Sequence, residues 1–236
     1  EYCHSIAWSG NAFYTRQMAV QRDYLESRAS LRQIRQLGLG VAPNRLVREQ
    51  SLASFLERKG HARLLEDATH ILERMACRVV IPVRDESGHV VSLCSRSITG
   101  ADKNRYINEG AKGQVLVGMD VARDAIRRDG LAVVVEGPFD MSTVRELGSL
   151  CLDRVLENGK DAISCLGNVV ACMGSRPTRD QMILLKKHTD TFIMVRDGDR
   201  ADDIRGAQAI ISDAAAVGLR ASVVSVPDQM DPDEYI

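Results

Sequence analysis

Short apolar runs alternate with amphipathic helical patterns in the second half of the chain. Continuous apolar runs of strand length are typical of strands buried on both faces, and strands that alternate with helices indicate a parallel sheet with crossover helices. We therefore predict an α/β domain over residues 116–236. Its predicted strands are LAVVV (131–135), VVACM (169–173), TFIMV (191–195) and ASVVSV (221–226), with helices from Met141, Arg179 and Asp203.

The first half of the chain shows helical periodicity that gives way to strands. Residues 11–28 have a helical pattern, and Ser30 with Gln33 forms the capping-box sequence of the next helix. Ser51 is predicted to cap a further helix, LASFLERK. The segments RVVIPV and HVVSLCS, joined by DESG, then predict a β-hairpin. We predict that residues 1–115 form an α+β subdomain that precedes the α/β domain.

Carboxylates follow three of the predicted strands, in the motifs EGPFD, DGD and DPD. Each motif alone is common in turns, but parallel strands share a carboxyl edge, where α/β proteins bind ligands. Two like charges about 4 Å apart repel by about 4 kcal/mol at an effective dielectric of 20, so clustered acids must take up protons or a cation. Carboxylate oxygens suit Mg²⁺, which is often shared with a phosphate. The predicted acidic edge comprises Glu136 and Asp140, Asp197 and Asp199, and Asp231 and Asp233.

Composition and charge narrow the functional classes. The 236 residues carry a net charge of −1, so contact with nucleic acid requires a local basic patch, for which the arginine-rich residues 1–64 are candidates. No apolar run approaches the ~20 residues of a membrane helix, and no secretory signal is present, so we expect a cytosolic protein without membrane contact. The six cysteines include no CxxC pair, so we expect free thiols and no zinc site.

Several motifs resemble those of a known family. AVVVEGPFD, FIMVRDGDRAD and DQMDPDE resemble the TOPRIM domain, the catalytic module shared by topoisomerases and primases. FYTRQM, RVVIPVRDESG, NRYINEG and AKGQVLVG further resemble the RNA polymerase core of bacterial and phage DNA primases. The resemblance covers nearly the whole chain. It implies a TOPRIM-type α/β fold after an α+β subdomain, and synthesis of short RNA primers from ribonucleoside triphosphates on single-stranded DNA by two-metal nucleotidyl transfer with Mg²⁺ or Mn²⁺.

The resemblance also implies roles for individual residues. Glu136 is expected to bind metal and to perform acid/base work, with Asp140 in a supporting catalytic role. Asp197 and Asp199 match the metal-binding DxD motif, and Asp231 and Asp233 match the later acids of the family. Phosphates of nucleotide and template are expected to meet a set of cations, for which a solvated surface is the alternative interpretation. These cations are Arg78, Arg96, Lys103, Arg105 and Lys112.

The resemblance places further functions outside this chain. In the family, flanking regions recognise the template and contact the replicative helicase. The chain begins without Met and is interpreted as a piece of a longer protein, in a bacterial or phage-infected cell.

Other functions remain open from the sequence. A TOPRIM nuclease would cleave phosphodiesters with the same acids, and a non-catalytic TOPRIM module would bind nucleic acid or a partner protein. A topoisomerase is disfavoured because it needs a tyrosine nucleophile on a large additional domain. An aspartate-nucleophile phosphatase is disfavoured because Arg200 and Ala201 follow Asp199, where such enzymes tend to have a hydroxyl or a small β-branched residue.

Overall fold

The computed structural model describes residues 1–99, 102–110, 112–146, 167–200, 203–227, 230 and 232. The chain folds as two compact units. The first comprises Glu1–Pro82 with Ser92–Gly110, and the second comprises Val83–Val91 with Ala111–Ile236. The tip of the hairpin is therefore grouped with the second unit. The predicted boundary between residues 115 and 116 stays a prediction.

Helices make up most of the described part of the first unit. The pattern predicted as one helix over residues 11–28 forms two helices, which are separated at Met18. The Met18 backbone leaves the helical region, with φ −119° and ψ 16°, and its side chain is buried. The α-helices of this unit are α1 (Tyr2–Ala7), α2 (Ala12–Gln17), α3 (Ala19–Arg28), α4 (Leu31–Leu37), α5 (Arg45–Arg58) and α6 (Leu65–Arg74).

The two predicted helix caps of this unit have different outcomes. The capping box of α4 is confirmed, since the Ser30 hydroxyl accepts from the Gln33 amide and the Gln33 side chain accepts from the Ser30 amide. The prediction that Ser51 caps a helix is wrong, because Ser51 lies within α5. Asn44 caps α5 instead and accepts from the Val47 amide at 3.1 Å. The Ser51 hydroxyl donates to the Val47 carbonyl one turn back, as serine can inside a helix.

A four-stranded sheet with the order β1-β2-β3-β4 completes the α+β subdomain. The β1–β2 and β3–β4 pairs are antiparallel. The predicted DESG turn joins β2 to β3, and the Asp85 carboxylate accepts from the Ser87 and His89 amides at 2.8 and 3.0 Å. The strands are β1 (Gly40–Val41), β2 (Val79–Arg84), β3 (Val90–Arg96) and β4 (Tyr106–Gly110).

A parallel sheet with the order β6-β5-β7-β8 forms the centre of the second unit and confirms the predicted α/β architecture. No helix in the described part of the chain is long and apolar enough to span a membrane. The strands are β5 (Ala132–Val135), β6 (Val169–Ala171), β7 (Thr191–Arg196) and β8 (Arg220–Ser225). The helices are α7 (Met119–Asp129), α8 (described over residues 138–146), α9 (Arg179–Lys186) and α10 (Ile204–Ala216).

The central strands of this sheet are more buried than its edge. All four residues of β5 are buried, whereas β8 alternates between exposed and half-buried residues. The prediction that the ASVVSV strand is buried is therefore wrong, because only one face of β8, with Ala221 and Val223, packs against the hydrophobic core. Side chains of α7, α9 and α10 pack with β5 and β7 in one hydrophobic core, which includes Ile126, Met182, Ile210, Val134 and Met194.

Candidate active site

Two of the three acidic motifs meet at the carboxyl edge of the parallel sheet. Glu136 directly follows β5, and Asp197 directly follows the neighbouring strand β7. The two strands are parallel and in register, with Val135 opposite Val195. The Asp197 amide donates a hydrogen bond to the Glu136 carboxylate at 3.3 Å. The strand topology therefore brings together two acids that are 61 positions apart in the sequence.

The acids of this edge differ in burial. Glu136 is 9% exposed, Asp197 is half-buried, and Asp199 is exposed on the short 3₁₀ turn Gly198–Arg200. The Gly198 amide donates to the Met230 carbonyl at 2.7 Å, so the DGD turn is held against the residue that precedes the DPD motif. Asp231 and Asp233 lie outside the described residues, and their predicted roles stay predictions.

Asp140 holds the turn that follows Glu136. Residues 138–146 are helical, so α8 starts three residues before the predicted start at Met141. The Asp140 carboxylate reaches back to the Gly137 amide at 3.0 Å, which is one half of a capping box. A Cβ atom on Gly137 would lie 2.5 Å from this carboxylate, so any larger residue at this position would displace the Asp140 side chain. Asp140 therefore has a structural role in this turn, and its supporting catalytic role stays a prediction.

Cys172 lies near these acids, and the sequence analysis did not predict it as part of the site. It follows β6, donates its amide to the Val135 carbonyl at 3.0 Å, and is 4% exposed. Burial raises the pKa of the Cys172 thiol to about 12, and the charges of Glu136 and Asp197 act in the same direction. The thiol is therefore neutral, and it donates to the Gly174 carbonyl at 3.0 Å. Its position near the end of the VVACM run was the available signal.

Arg196 and Asp203 are a second pair that was not predicted as part of the site. Arg196 ends β7, immediately before Asp197, and its side chain is 3% exposed. Its guanidinium donates to the Asp203 carboxylate at 2.9 Å and to the Asp203 carbonyl at 3.1 Å. Alternation along TFIMVR was the available signal, since it places the arginine on the same face as Phe192 and Met194.

The donor atoms at this edge fit a hard divalent cation. Glu136, Asp197 and Asp199 offer carboxylate oxygens, the ligands that Mg²⁺ and Mn²⁺ prefer. Within the described residues, no group of three or more His, Cys, Asp or Glu side chains is close enough to hold a metal ion. The predicted ligand set also includes Asp231 and Asp233, which are not described.

Two of the predicted cations, both in the first unit, are buried and bind within it. The Arg78 guanidinium donates to the Asp102 carboxylate at 3.1 Å and to the Asn104 carbonyl at 3.0 Å, and its side chain is 8% exposed. The Arg96 guanidinium lies 5.5 Å from the ring centroids of both Tyr24 and Tyr106 and donates to the Tyr106 hydroxyl at 2.9 Å. Both arginines therefore have structural partners.

The other predicted cations differ from these arginines. The side chains of Lys103 and Arg105 are exposed, and neither side chain forms a hydrogen bond or an ion pair within the described part of the chain. Arg105 lines a cavity of about 340 Å³ together with Tyr24, Arg96 and Asp102. Lys112 begins a 3₁₀ turn, but its side chain lies outside what the structure describes. Among the predicted cations whose side chains the structure describes, Lys103 and Arg105 are thus the two that are accessible to an anion.

Two family models together match most of the chain. Residues 8–119 match the model described as the N-terminal domain of the DNA primase catalytic core. Residues 133–236 match the model described as Toprim-like, and this match contains all three acidic motifs. The predicted fold class, a TOPRIM-type sheet after an α+β subdomain, is confirmed.

Individual proteins and structures to which the chain is similar are also DNA primases. The DNA primase of Halalkalibacterium halodurans is 29% identical over 231 residues, which cover 91% of this chain and 35% of that protein. The chain therefore spans about a third of that relative's length. The zinc-binding and RNA polymerase domains of the Aquifex aeolicus primase match with a TM-score of 0.69 at 27% identity, over 96% of this chain and 53% of that chain. A DnaG primase catalytic domain bound to single-stranded DNA matches with a TM-score of 0.66 at 24% identity, over 98% and 73% of the two chains.

Proposed function

Because the chain belongs to the bacterial-type DNA primase catalytic cores that contain a TOPRIM domain, we propose that it synthesises short RNA primers from ribonucleoside triphosphates on single-stranded DNA. The observation that carries the proposal is the hydrogen bond between the Asp197 amide and the Glu136 carboxylate, which joins two acidic motifs at one sheet edge. A structural relative bound to single-stranded DNA supports the choice of template.

The acids would act on the triphosphate and on the 3′ hydroxyl of the growing primer. Asp197 and Asp199, with Asp231 and Asp233, would hold two Mg²⁺ or Mn²⁺ ions. Bound ions of this kind lower the pKa of an attacking hydroxyl and neutralise charge on the phosphates. Glu136 would also contact metal and would accept the proton of the 3′ hydroxyl. The hydroxyl oxygen then bonds to the α-phosphorus, and pyrophosphate leaves with the electrons of the broken bond.

The surrounding residues would orient these groups. The Asp197 amide holds the Glu136 carboxylate at the end of β5, and Asp140 holds the turn that follows it. Cys172 adds a buried, neutral thiol near the negative charges of Glu136 and Asp197.

The exposed cations would bind phosphates. Lys103 and Arg105 are available for template or triphosphate contacts, whereas Arg78 holds the segment that carries them. Lys112 is proposed as a phosphate contact because of its place in the family motif. Arg96 lines the cavity that Arg105 also lines, and it is proposed to contact a phosphate there. Guanidinium binds phosphate through two parallel hydrogen bonds, and ammonium acts as a point charge.

The proposal extends to cellular context. A chain of this family would act in the cytoplasm of a bacterial or phage-infected cell. Contact with a replicative helicase would involve regions of the protein outside this chain.

The substitution Glu136→Gln tests the proposed function. It keeps the side-chain volume and an acceptor for the Asp197 amide, so the fold should be preserved. Loss of a general base costs about 10²–10⁴-fold in rate. We expect primer synthesis on mixed-sequence single-stranded DNA, with ribonucleotides and Mg²⁺ or Mn²⁺, to fall by at least about 10²-fold.

A matched control is Glu66→Gln, at an exposed acid in the first turn of α6. It should prime at the wild-type rate. Wild-type priming by a folded Glu136→Gln variant would contradict the proposal. Cleavage of labelled DNA with metal and no nucleotides would instead support a nuclease, and binding of DNA with neither activity would support a non-catalytic module.

A further inference from the structure

The last residue of β7 is an arginine on the core side of the strand. Side chains alternate along a strand, so Arg196 continues the face of Phe192 and Met194, both of which are fully buried. The Arg196 side chain is itself 3% exposed. An apolar residue would extend this face without the cost of removing a charge from water, which is several kcal/mol per ion. The arginine therefore needs an explanation beyond core packing.

The partner of this arginine is also the cap of the next helix. Asp203 is the N-cap residue of α10, and its carboxylate accepts from the Gly206 amide at 2.8 Å. The same carboxylate accepts from the Arg196 guanidinium at 2.9 Å, and the Asp203 carbonyl accepts a second donor of that group at 3.1 Å. One side chain thus connects the end of β7 to the start of α10.

This connection spans the segment that carries the metal-binding candidates. Asp197 is the next residue after Arg196, and Asp199 lies between the two partners in sequence. Inside the segment, the Asp197 amide is bound to Glu136 and the Gly198 amide to the Met230 carbonyl. The Arg196–Asp203 pair adds an anchor that joins both ends of the segment, so it limits the directions that the two carboxylates can take.

Charge gives the pair a second effect. A buried guanidinium requires a counter-charge, and Asp203 supplies it. The sequence between Arg196 and Asp203 holds three further carboxylates, Asp197, Asp199 and Asp202. Without Asp203, the uncompensated guanidinium would attract these carboxylates and compete with a cation for the oxygens of Asp197 and Asp199. Asp203 therefore keeps the positive charge of Arg196 away from the acids of the site.

We infer that Arg196 and Asp203 are positioning residues that set the geometry of the DGD turn, residues 197–199, and thereby its affinity for a divalent cation. The inference rests on the proposed function of Asp197 and Asp199 as metal ligands. It concerns residues that the acidic motifs themselves do not include.

Binding of Mn²⁺ alone, measured by electron paramagnetic resonance without DNA or nucleotides, tests the inference on the 236-residue chain. Arg196→Met keeps most of the volume and removes the charge, and we expect its Mn²⁺ dissociation constant to rise about fivefold. Asp203→Asn keeps a helix cap, since asparagine caps as well as aspartate. We expect the Mn²⁺ dissociation constant of this variant to rise at least tenfold, because the unpaired Arg196 guanidinium competes with Mn²⁺ for the carboxylates. The double variant should return to the Arg196→Met value.

Arg48→Met is the matched control. Arg48 is 5% exposed and pairs with Glu73 at 2.8 Å in the first unit. Its substitution should change the melting temperature about as much as Arg196→Met does and leave Mn²⁺ affinity unchanged. Priming activity gives a second readout. Arg196→Met should need more metal for half-maximal rate, and Arg48→Met, with a similar loss of stability, should not.

The outcomes separate this inference from the proposed function. If Asp197→Asn loses Mn²⁺ binding while both Arg196→Met and Asp203→Asn remain folded and bind within twofold of wild type, the inference is overturned and the metal site stands. If Arg196→Met does not fold, Asp203→Asn alone decides by the same criterion. If the wild-type chain binds no Mn²⁺, or Asp197→Asn binds it equally well, the proposed site fails and the inference fails with it.

Discussion

The acidic edge of the parallel sheet and the predicted cations of the first unit differ in how their side chains are positioned. At the acidic edge, Glu136 and Asp197 follow directly on two adjacent parallel strands, so the sheet itself brings them together. Among the predicted cations, Arg78 and Arg96 are buried and bind partners within the first unit, whereas the side chains of Lys103 and Arg105 are exposed. Strand order therefore determines where the acids lie. The position of a long cationic side chain depends instead on the partners that it finds across the fold.

The largest expected effect is at the acidic edge. Asp197→Asn should reduce primer synthesis by at least about 10²-fold, because ligation of a catalytic metal is worth several kcal/mol in the transition state. The melting temperature should stay the same or rise slightly, since one of two neighbouring negative charges is removed. Priming assays and thermal unfolding measure the two quantities. Asp124→Asn, at an exposed acid on α7, is the control, and a folded Asp197→Asn variant with wild-type activity would contradict the assignment.

The next effect tests whether Arg78 is structural. Arg78→Met removes an ion pair and two hydrogen bonds to backbone carbonyls. We expect the free energy of unfolding to fall by about 1–3 kcal/mol. This loss is smaller than for a fully buried ion pair, because the Asp102 side chain is half-exposed and solvent screens its charge. Denaturant titration measures the loss. An unchanged midpoint together with weaker DNA binding would show that Arg78 is a phosphate contact instead.

A smaller loss is expected from the turn that follows Glu136. In Gly137→Ala the new Cβ atom would lie 2.5 Å from the Asp140 carboxylate, so the hydrogen bond of the helix cap must break. Loss of a helix cap costs about 0.5–2 kcal/mol. Gly113→Ala is the control, since its Cβ atom would lie 3.6 Å from the Thr178 methyl group, an ordinary contact. Equal melting temperatures for the two variants would mean that the cap is unimportant.

The exposed cations should affect binding and leave stability unchanged. Arg105→Ala should lower the slope of log affinity against log salt concentration by about 0.7 for each single-strand phosphate contact that is lost. The same holds for Lys103→Ala if both contact the template. Fluorescence anisotropy of labelled single-stranded DNA at several salt concentrations measures this slope. A slope equal to that of the wild type would assign these side chains to a solvated surface.

The smallest effect concerns the neutral thiol beside the acids. With a raised pKa of about 12, Cys172 holds its proton at pH 8, whereas Cys77 is exposed. Iodoacetamide should therefore modify Cys77 first, as mass spectrometry of peptides can show. Because the folded-state pKa lies above the unfolded value near 9, the contribution of Cys172 to stability is complete below pH 9 and falls as the pH rises toward 12. Rapid labelling of Cys172 in the folded chain would argue against its burial.

Local errors in the predicted helix boundaries have a common cause. Ser51 is a plausible cap by residue type, but Asn44 lies seven residues earlier and α5 extends back to it. The predicted start of α8 at Met141 treats Pro138 and Asp140 as loop residues, although proline is favoured in the first turn and Asp140 completes the cap. Which of several nearby polar residues caps a helix depends on which backbone amides lack a partner in the folded chain.

Periodicity and motif order in the chain were enough to predict the α/β class, the order of strands and helices from β5 onward, and the meeting of Glu136 with Asp197 at the sheet edge. This works because parallel strands place the residues that follow them at one side of a sheet, whatever the details of packing. The helix α7, which precedes β5, was not predicted. Only the tertiary structure decided that Arg78 and Arg96 are buried in internal contacts, that Cys172 lies beside Glu136, and that Arg196 binds Asp203. These facts depend on the partners that long or buried polar side chains find across the fold, because a buried charge or hydrogen-bonding group is stable only where a partner is in reach.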